Sequence, residues 1–407
     1  MDLSTFCRKA LGIESPWRIG SVTVDDTTMS VTVHVERTKS SKGTCPECGA
    51  TCSIHDRRDR RWRDLQWSKY RMFIEASVPR VRCPEHGVLN ETPPWCVPNS
   101  RFTIGFEEYA VSLMLVASIS AVSKLLDVDW KTLDAIMQRA VDRGLDRRRA
   151  HPVPVLCVDE TSFQKRHEYV TIVSDGTTGA VLYVGDDRTE ASLMAFYEAL
   201  TPEQRASVGS VNMDMWVPYI EATSMGLEEG DRTICFDRFH VAQMLNKAVN
   251  DVRKQEHRAE LREHGESALT GKRMSVLRNY ADLTKSQQRD LQEVFAVAEN
   301  TAMAWSIKEQ AKLLWKYVSF HWAERAWNVW LEAAEQTALT PIIKVAQTVK
   351  NHLWGILNAV VFGVSNAMAE SINSRIKMIK SRARGFRSRE RFRRAILFYC
   401  GNLDMSF

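Results

Sequence analysis

Two short cysteine motifs near the N-terminus constrain the fold more than any other feature of this sequence. Cys45-Pro-Glu-Cys48 and Cys83-Pro-Glu-His86 each place a pair of metal-binding side chains on a tight turn. A tetrahedral zinc ion can bind two such pairs, provided that the two turns meet in space. The strand-like stretch RMFIEASV lies between them and allows a hairpin to join them. We therefore predict a zinc ion bound by Cys45, Cys48, Cys83 and His86.

The cysteine content also limits the alternatives for this region. Five of the nine cysteines fall between residues 45 and 96, and the opening MDLSTF has an acid and no apolar segment, so no secretory signal is expected. Such clustering indicates metal rather than disulfides. Cys52 and His55 are rival ligands, and a set of buried reduced thiols is the reading without metal. Four protein ligands leave no open position, which is typical of a structural ion.

Basic residues are concentrated in two segments of a chain whose net charge is only +5. Residues 57–82 hold nine Lys or Arg against three acids, and residues 371–394 hold ten against one. Two basic patches on an otherwise acidic chain indicate a polyanion partner such as nucleic acid, although each could be only a solvated face. The candidates for phosphate contacts are Arg57, Arg58, Arg60, Arg61, Lys377, Lys380, Arg382, Arg384 and Arg387.

The hydrophobic pattern predicts a multidomain α+β protein. Residues 1–100 are strand-rich and carry the zinc motifs, whereas residues 101–150 have helical periodicity. From residue 151 strands alternate with helices, as in an α/β domain that comprises 151–241 and 363–407, and residues 242–362 form an all-helical insertion within it. No segment approaches the ~18 apolar residues of a membrane-spanning helix, so no membrane association is expected.

A helix pair is predicted after the zinc motifs. Ile119–Leu126 is a short amphipathic run, residues 127–129 form a polar break, and Trp130–Arg143 is a second helix capped by Asp129. This arrangement matches a helix-turn-helix, whose second helix enters the DNA major groove, although a plain helical linker would look similar. The candidates for groups facing the groove are Lys131, Thr132 and Gln138.

Two aspartates follow neighbouring strands of the predicted α/β domain. The order strand–strand–strand–helix–strand is that of a ribonuclease-H-like sheet with strand order 3-2-1-4-5, in which strands 1 and 4 are adjacent. Asp159 ends the first strand and Asp214 ends the fourth, so they would face each other across ~4.8 Å and could bridge a divalent metal. The predicted elements are Val153–Val158, Tyr169–Ser174, Ala180–Val184, the helix Leu193–Ser207, Ser210–Met213, the helix Val217–Met225 and Thr233–Phe236.

Three further polar residues accompany this pair. Asp237 ends the next strand and lies one strand further out, so it ranks below Asp214 as a ligand. With His240 it has either a supporting role or the ordinary role of a helix cap and a packed histidine. Glu370 lies on a predicted helix around residues 366–380, where Asn366 and Asn373 share its face.

The ordered motifs CPEC, RCPEHG, VDET, NMDM, FDRFHV and NAMAESINSRIKMIKSRARGFR resemble an insertion-sequence transposase of the DDE type, and more narrowly the ISL-three (ISL3) family. The resemblance covers residues 43–400. It implies a catalytic triad of Asp159, Asp214 and Glu370 that binds magnesium or manganese. It also matches Asp237 and His240 to an Asp-x-x-His signature. One departure is Met368-Ala369, where the family has a small residue and glycine before the glutamate; Glu390, the next acid, is a poor rival.

The same resemblance implies a function. The chain is expected to be a DNA transposase that binds the terminal inverted repeats of its mobile element and catalyses metal-dependent DNA cleavage and strand transfer. The expected partners are double-stranded DNA and a second copy of the chain, in the bacterial cytoplasm. The alternatives are a transposase-derived DNA-binding regulator without catalysis and a plain ribonuclease-H-like nuclease, which would leave the N-terminal DNA-reading elements unexplained.

Overall fold

The computed structural model describes residues 3–38, 42–164, 168–363 and 367–407. Contacts divide the chain into two compact units, one formed by Met1–Arg147 with Asp404–Phe407 and the other by Arg148–Leu403. In these described ranges no single helix is long and apolar enough to cross a membrane, and one sharply bent pair of helices meets that criterion only when taken together.

The first unit is built on a six-stranded sheet with the order β1-β2-β5-β4-β3, in which β6 pairs with β5. Its first two strands, β1 and β2, form an antiparallel hairpin, in whose turn the Asp25 carboxylate accepts hydrogen bonds from the amides of Thr27 and Thr28. The elements are α1 (Leu3–Ala10), β1 (Trp17–Asp25), β2 (Ser30–Arg37), β3 (Gly43–Thr44), β4 (Thr51–Arg63), β5 (Arg71–Cys83) and β6 (Gly87–Asn90).

Three helices complete this unit: α2 (Ile104–Val116), α3 (Ile119–Leu126) and α4 (Trp130–Arg147). The bounds of α3 and the start of α4 are as predicted. α4 ends four residues later than Arg143, because its buried positions continue at helical spacing through Val141 to Gly144.

The second unit contains a five-stranded sheet with the order β11-β10-β7-β8-β9, which confirms the predicted strand order. The prediction that Asp159 ends its strand is wrong. β7 continues to Gln164 because it remains paired with β8 as far as Gln164 and Glu168, so Asp159 lies within the strand. The strands are β7 (Val155–Gln164), β8 (Glu168–Asp175), β9 (Val181–Asp186), β10 (Ser210–Met213) and β11 (Ile234–Phe236).

Helices surround this sheet. The described residues 242–362 contain helices and no strand, as predicted for the insertion. The single helix predicted over Leu193–Ser207 is in fact two, because Thr201 forms a capping box with Gln204 and starts a new helix at Pro202. The helices are α5 (Glu190–Ala199), α6 (Pro202–Ser207), α7 (Val217–Gly226), α8 (Gly230–Thr233), α9 (Arg238–His264), α10 (Arg273–Leu277), α11 (Lys285–Val297), α12 (Glu299–Leu314), α13 (Phe320–Gln336), α14 (Thr340–Asn351), α15 (Leu353–Phe362), α16 (Ala367–Arg382) and α17 (Arg389–Cys400), with a 3₁₀ turn at Tyr280–Asp282.

Strand alternation gives the sheet two buried faces. Leu156 and Val158 face a core that is shared with α5, α7 and the insertion helices, including the fully buried Trp327. Val170 and Ile172 face the opposite side and pack against α16 and α17. Because Asp159 has the opposite parity to Val158, its side chain lies on the face that α16 covers.

Candidate functional site

The two cysteine turns meet at one end of the β4–β5 hairpin. One ligand atom from each of Cys45, Cys48, Cys83 and His86 lies within 4.8 Å of all the others. The Cys48 and Cys83 sulfurs are 3.7 Å apart, and the Cys83 sulfur is 3.6 Å from His86 Nδ1. A tetrahedral zinc ion with bonds of ~2.3 Å to sulfur and ~2.0 Å to nitrogen requires ligand separations of about 3.5–3.8 Å. The spacing of these four residues therefore fits a tetrahedral zinc ion.

The rival ligands lie outside this cluster. Cys52 is buried on β4, where its thiol is directed at the Ala50 carbonyl oxygen at 3.4 Å. The His55 ring contacts the Arg82 guanidinium through Nδ1 at 3.0 Å. Neither side chain belongs to the group of four whose ligand atoms lie within 4.8 Å of one another.

The basic segment beside the zinc site separates into exposed and internally bound arginines. Arg57 and Arg58 are exposed on β4. The Arg61 guanidinium lies 3.7 Å from the centre of the Phe73 ring and 3.4 Å from the Glu75 carboxylate. Arg60, which is half-buried, lies over Trp62. Arg57 and Arg58 are therefore the most accessible of the predicted phosphate contacts here.

The helix-turn-helix is held at its turn by arginines from the sheet of the same unit. Arg63 donates hydrogen bonds to the Leu126 and Asp127 carbonyl oxygens at 2.6 and 2.9 Å, and Arg71 binds the Asp127 carboxylate at 2.7 Å. Asp127 adopts a left-handed conformation (φ 49°) that ends α3. These arginines, which belong to the predicted basic segment, thus stabilise the turn.

The first turn of α4 presents few free polar groups. Asp129 caps the helix as predicted, accepting hydrogen bonds from the Thr132 amide and hydroxyl. Thr132 is therefore occupied within the helix. Lys131 and Gln138 are exposed and remain available for contact with a partner.

Three aspartates lie in one row across the second sheet. Asn212 on β10 is paired with Cys157 on β7, and continuing this register by two residues places Asp214 beside Asp159. Met213 is paired with Phe236 on β11, and one further residue places Asp237 on the other side of Asp214. Because neighbouring strands are ~4.8 Å apart, the three carboxylates lie side by side, with Asp214 in the middle.

This row carries unfavourable charge. Burial raises the pKa of Asp159 to about 6, and the neighbouring charge of Asp214 raises it as well, against a hydrogen bond from the Glu160 amide. Burial also raises the pKa of Asp214, whose Oδ1 is buried with no hydrogen-bond partner in the described part of the chain. Buried carboxylate oxygens are normally paired, so an unpartnered oxygen beside a second acid is a donor that a cation could use.

Asp237 is already bonded through both oxygens. One accepts a hydrogen bond from the Phe239 amide at 2.9 Å and caps α9, and the other lies 3.1 Å from His240 Nδ1. The hydrogen bond to Asp237 raises the pKa of His240, to which Asp214 and Asp159 also contribute. The helix cap is therefore present, and a supporting role of Asp237 and His240 in the reaction stays a prediction.

Glu370 lies in the first turn of α16 and its side chain is exposed. One helical turn later, Asn373 donates a hydrogen bond to Asp159 Oδ2 at 2.6 Å, which brings this helix to the row of aspartates. Among the described residues, Glu370 does not form with Asp159 and Asp214 a group as tight as the cysteine cluster. Asn366, predicted to share the same face, lies outside the described residues.

Sequence reasoning missed a second acidic group next to the row. Glu160 follows Asp159 on β7, and its Oε1 binds Arg188 at 2.9 Å. Burial raises the pKa of Glu160 to about 7, with contributions from Asp214 and Asp159. The Arg188 guanidinium is stacked at 3.9 Å on Trp216, whose indole donates to the Arg188 carbonyl oxygen. The one sequence signal that could have identified Glu160 is its position directly after Asp159.

The C-terminal basic segment is only partly free. Lys377, Arg384 and Arg387 are exposed, as is Arg382 at the end of α16. Lys380, in contrast, donates a hydrogen bond to the Ser162 carbonyl oxygen and lies 5.7 Å from the centre of the Phe392 ring. It therefore links α16 to β7 and is less available to a phosphate than the sequence suggested.

Family profiles match three consecutive parts of the chain. A profile of ISL3 transposases of the DDE type, described as a transposase, matches residues 156–396. A zinc-finger profile of the transposases of IS204, IS1001, IS1096 and IS1165 matches residues 41–86. A profile of the helix-turn-helix domain of the ISL3 transposase family matches residues 91–141.

Full-length relatives agree with these profiles. The transposase for insertion sequence element IS1001 of Bordetella parapertussis is 30% identical over 358 residues, which cover 86% of each chain. The transposase for insertion sequence element IS1557 of Mycobacterium tuberculosis is 27% identical over 377 residues, covering 84% of this chain and 82% of the relative.

Proposed function

The chain belongs to the ISL3 family of insertion-sequence transposases, and we propose that it binds the terminal inverted repeats of its element and catalyses metal-dependent cleavage and strand transfer there. The observation that carries the catalytic part is the pair Asp159 and Asp214. These acids occupy adjacent strands, one has a pKa raised to about 6, and the other has a buried oxygen without a partner.

A divalent cation fits this donor set. Magnesium and manganese prefer carboxylate oxygens, and a cation would remove the repulsion between the two acids while satisfying the unpartnered oxygen of Asp214. Asp159, Asp214 and Glu370 are the residues that would bind it, with Glu370 supplied by the helix that Asn373 ties to Asp159. When bound, such ions neutralise charge on a phosphodiester and lower the pKa of an attacking water.

The remaining polar residues of this edge position the reacting groups. Asp237 orients the His240 ring through Nδ1, so Nε2 is left to donate to a phosphate oxygen when the ring is protonated. Glu160 and Trp216 hold Arg188 close to Asp214, where the positive charge of Arg188 acts to lower the pKa of Asp214. The Arg188 guanidinium is therefore placed to stabilise negative charge on bound DNA. Preorganisation of this kind lowers the barrier without a covalent enzyme–DNA intermediate.

The first unit supplies DNA binding. Its helix-turn-helix and zinc domain are those of a DNA-binding transposase, and we assign end recognition to α4 through Lys131 and Gln138. Arg57 and Arg58 would contact backbone phosphates, which fix register without reading bases. A second copy of the chain would bind the other end of the element, so we propose a homodimer in the active complex. The DNA substrate suits the bacterial cytoplasm, as do the nine cysteines, none of which forms a disulfide in the described part of the chain.

Incubation with DNA carrying the element's ends tests this function. We expect magnesium- or manganese-dependent nicking at the repeat boundary, followed by strand transfer, both stopped by a chelator. Binding of the ends without nicking under any metal condition would instead favour the DNA-binding regulator. Cleavage that ignores the repeat boundary would favour a general nuclease.

A further inference from the structure

A groove between α9 and α14 in the helical insertion has four cations and one acid in its lining. It has a volume of about 590 Å³, and its charged lining residues are Lys247, Asp251, Lys254, Arg258 and Lys344. The four basic side chains belong to exposed residues. A groove with four cations and one acid attracts a polyanion.

These cations continue a line that begins at the row of aspartates. On α9, His240, Lys247, Lys254 and Arg258 recur at spacings of seven, seven and four residues, which place them on one face of the helix. His240 is bonded to Asp237 at the catalytic edge. At about 1.5 Å per residue, Arg258 lies about 27 Å further along the helix than His240.

Three lysines elsewhere in the insertion are ion-paired, unlike most cations of the groove. Lys272 binds Glu293, Lys312 binds Glu309, and Lys350 lies 3.3 Å from Glu335. In the groove only Lys254 has an acidic neighbour, Asp251 at 3.3 Å. Within the described ranges of the chain, Lys247, Arg258 and Lys344 have no carboxylate within ion-pair distance. Lys247, Arg258 and Lys344 are therefore available to an external anion, whereas Lys254 is shared with Asp251.

We propose that the α9–α14 groove binds the sugar–phosphate backbone of the DNA duplex that leads away from the cleaved phosphodiester. The inference rests on the proposed cleavage at Asp159 and Asp214, because that site defines where the duplex starts. A stripe of about 27 Å corresponds to about 8 base pairs at 3.4 Å per pair. The contacts are electrostatic, so the groove adds affinity and direction without reading sequence.

Binding measured on duplexes of different length tests this assignment. The full chain is titrated by fluorescence anisotropy with element-end DNA that extends either 4 or 12 base pairs beyond the cleavage position. A second pair of duplexes varies the length on the element side instead, which distinguishes flanking from element DNA. The long duplex on one of these two sides should bind wild-type protein more tightly than the short one.

The variant Lys247→Ala/Lys254→Ala/Arg258→Ala should no longer bind the long duplex more tightly than the short one. Its slope of log affinity against log salt should fall by ~0.9 for each phosphate that is no longer neutralised, or by ~2.7 for all three. The charge-preserving variant Lys247→Arg/Lys254→Arg/Arg258→Lys should retain both properties. The matched control Arg278→Ala/Lys285→Ala/Arg289→Ala removes three exposed cations of the insertion outside the groove and should change neither the length dependence nor the slope by a comparable amount.

The results separate this inference from the proposed function. If wild-type protein nicks at the repeat boundary while the groove variant keeps the wild-type length dependence and salt slope, the groove does not bind DNA. An equal loss of affinity in the groove variant and the matched control would also overturn it, because charge rather than position would then be responsible. If wild-type protein does not nick at all, the proposed cleavage fails. Circular dichroism confirms that each variant is folded.

Discussion

The zinc site and the row of aspartates are both suited to metal, but they are built in opposite ways. The zinc site takes four ligands from two tight turns of one hairpin, and their atoms lie within 4.8 Å of one another. The row of aspartates takes its members from three strands, and Glu370 comes from a helix far along the chain. The zinc site has all four of its ligands. In the row of aspartates, by contrast, one oxygen of Asp214 has no hydrogen-bond partner among the described residues.

This difference separates a metal that holds a fold from a metal that acts on a substrate. Four soft ligands with no open position stabilise the ion and leave nothing for a substrate to occupy. Two or three carboxylates leave coordination positions for water and phosphate oxygens, and their mutual repulsion is relieved only by cations. Substitutions in either site, or in its surroundings, test this contrast between a structural and a reactive metal.

The largest effect is expected from neutralising the acids. Asp159→Asn, Asp214→Asn or Glu370→Gln should each reduce DNA cleavage by at least about 100-fold, because each removes a negative charge that holds the divalent cation. Binding to the element's ends, measured by anisotropy, should be retained. Asp237→Asn should reduce cleavage less than these three, since both of its oxygens are already bonded within the protein. Wild-type cleavage by Asp214→Asn together with inactive Asp237→Asn would reverse our ranking of these two acids.

Removal of a zinc ligand should unfold part of the first unit. Structural zinc binds with about 10–16 kcal/mol of apparent free energy in zinc-finger peptides. Cys45→Ser should therefore lose the zinc ion, and residues 43–100 should lose their ordered structure. Elemental analysis should find one zinc per wild-type chain and much less in the variant, with weaker DNA binding. Cys52→Ser, outside the cluster, should keep its zinc. Zinc-free protein that binds DNA with undiminished affinity would contradict the structural role.

The row of aspartates should cost stability when no metal is bound. The pKa of Asp159 is raised in the folded protein, so its contribution to stability is fully present below the unfolded pKa of about 3.9 and is lost as pH rises through about 6. In chelator at pH 8, Asp159→Asn should therefore be more stable than wild type by up to about 3 kcal/mol. The difference should vanish near pH 4.

Thermal unfolding curves check this prediction. Asn retains a side-chain oxygen that can accept the hydrogen bond from Asn373, so the substitution mainly removes charge. Added magnesium should raise the melting temperature of wild type and have less effect on Asp159→Asn. A variant that is less stable than wild type at pH 8 without metal would show that the carboxylate is stabilised by partners other than a cation.

The smallest effect is expected from the exposed arginines beside each site. Arg57→Ala/Arg58→Ala near the zinc site and Arg384→Ala/Arg387→Ala near the row of aspartates should each lower the salt slope of DNA binding by ~0.9 per phosphate contact, for end and random DNA alike. Lys380→Ala should instead lower thermal stability, because Lys380 bonds the Ser162 carbonyl oxygen. Loss of sequence discrimination with an unchanged slope would mean that these arginines read bases.

Local signals in the chain were sufficient for several elements. The bounds of α3 and the start of α4 follow from helical periodicity and the cap at Asp129. The meeting of the two cysteine turns follows from their repeated motif, and the strand order follows from the succession of strands and helices. Errors arose where neighbours extend or interrupt an element: pairing with β8 lengthens β7, and the capping box at Thr201 divides the predicted helix.

The sequence by itself determined which residue types are available to bind metal and DNA, because tight turns, helix caps and charge clusters act over a few residues. Only the tertiary structure decided which of them are free. It pairs Arg63 and Arg71 with the helix-turn-helix and Lys380 with β7, and it leaves Asp214 with an unsatisfied oxygen. It also places Glu160 and Arg188 beside the acids. These outcomes depend on contacts between residues distant in the chain, which spacing alone does not encode.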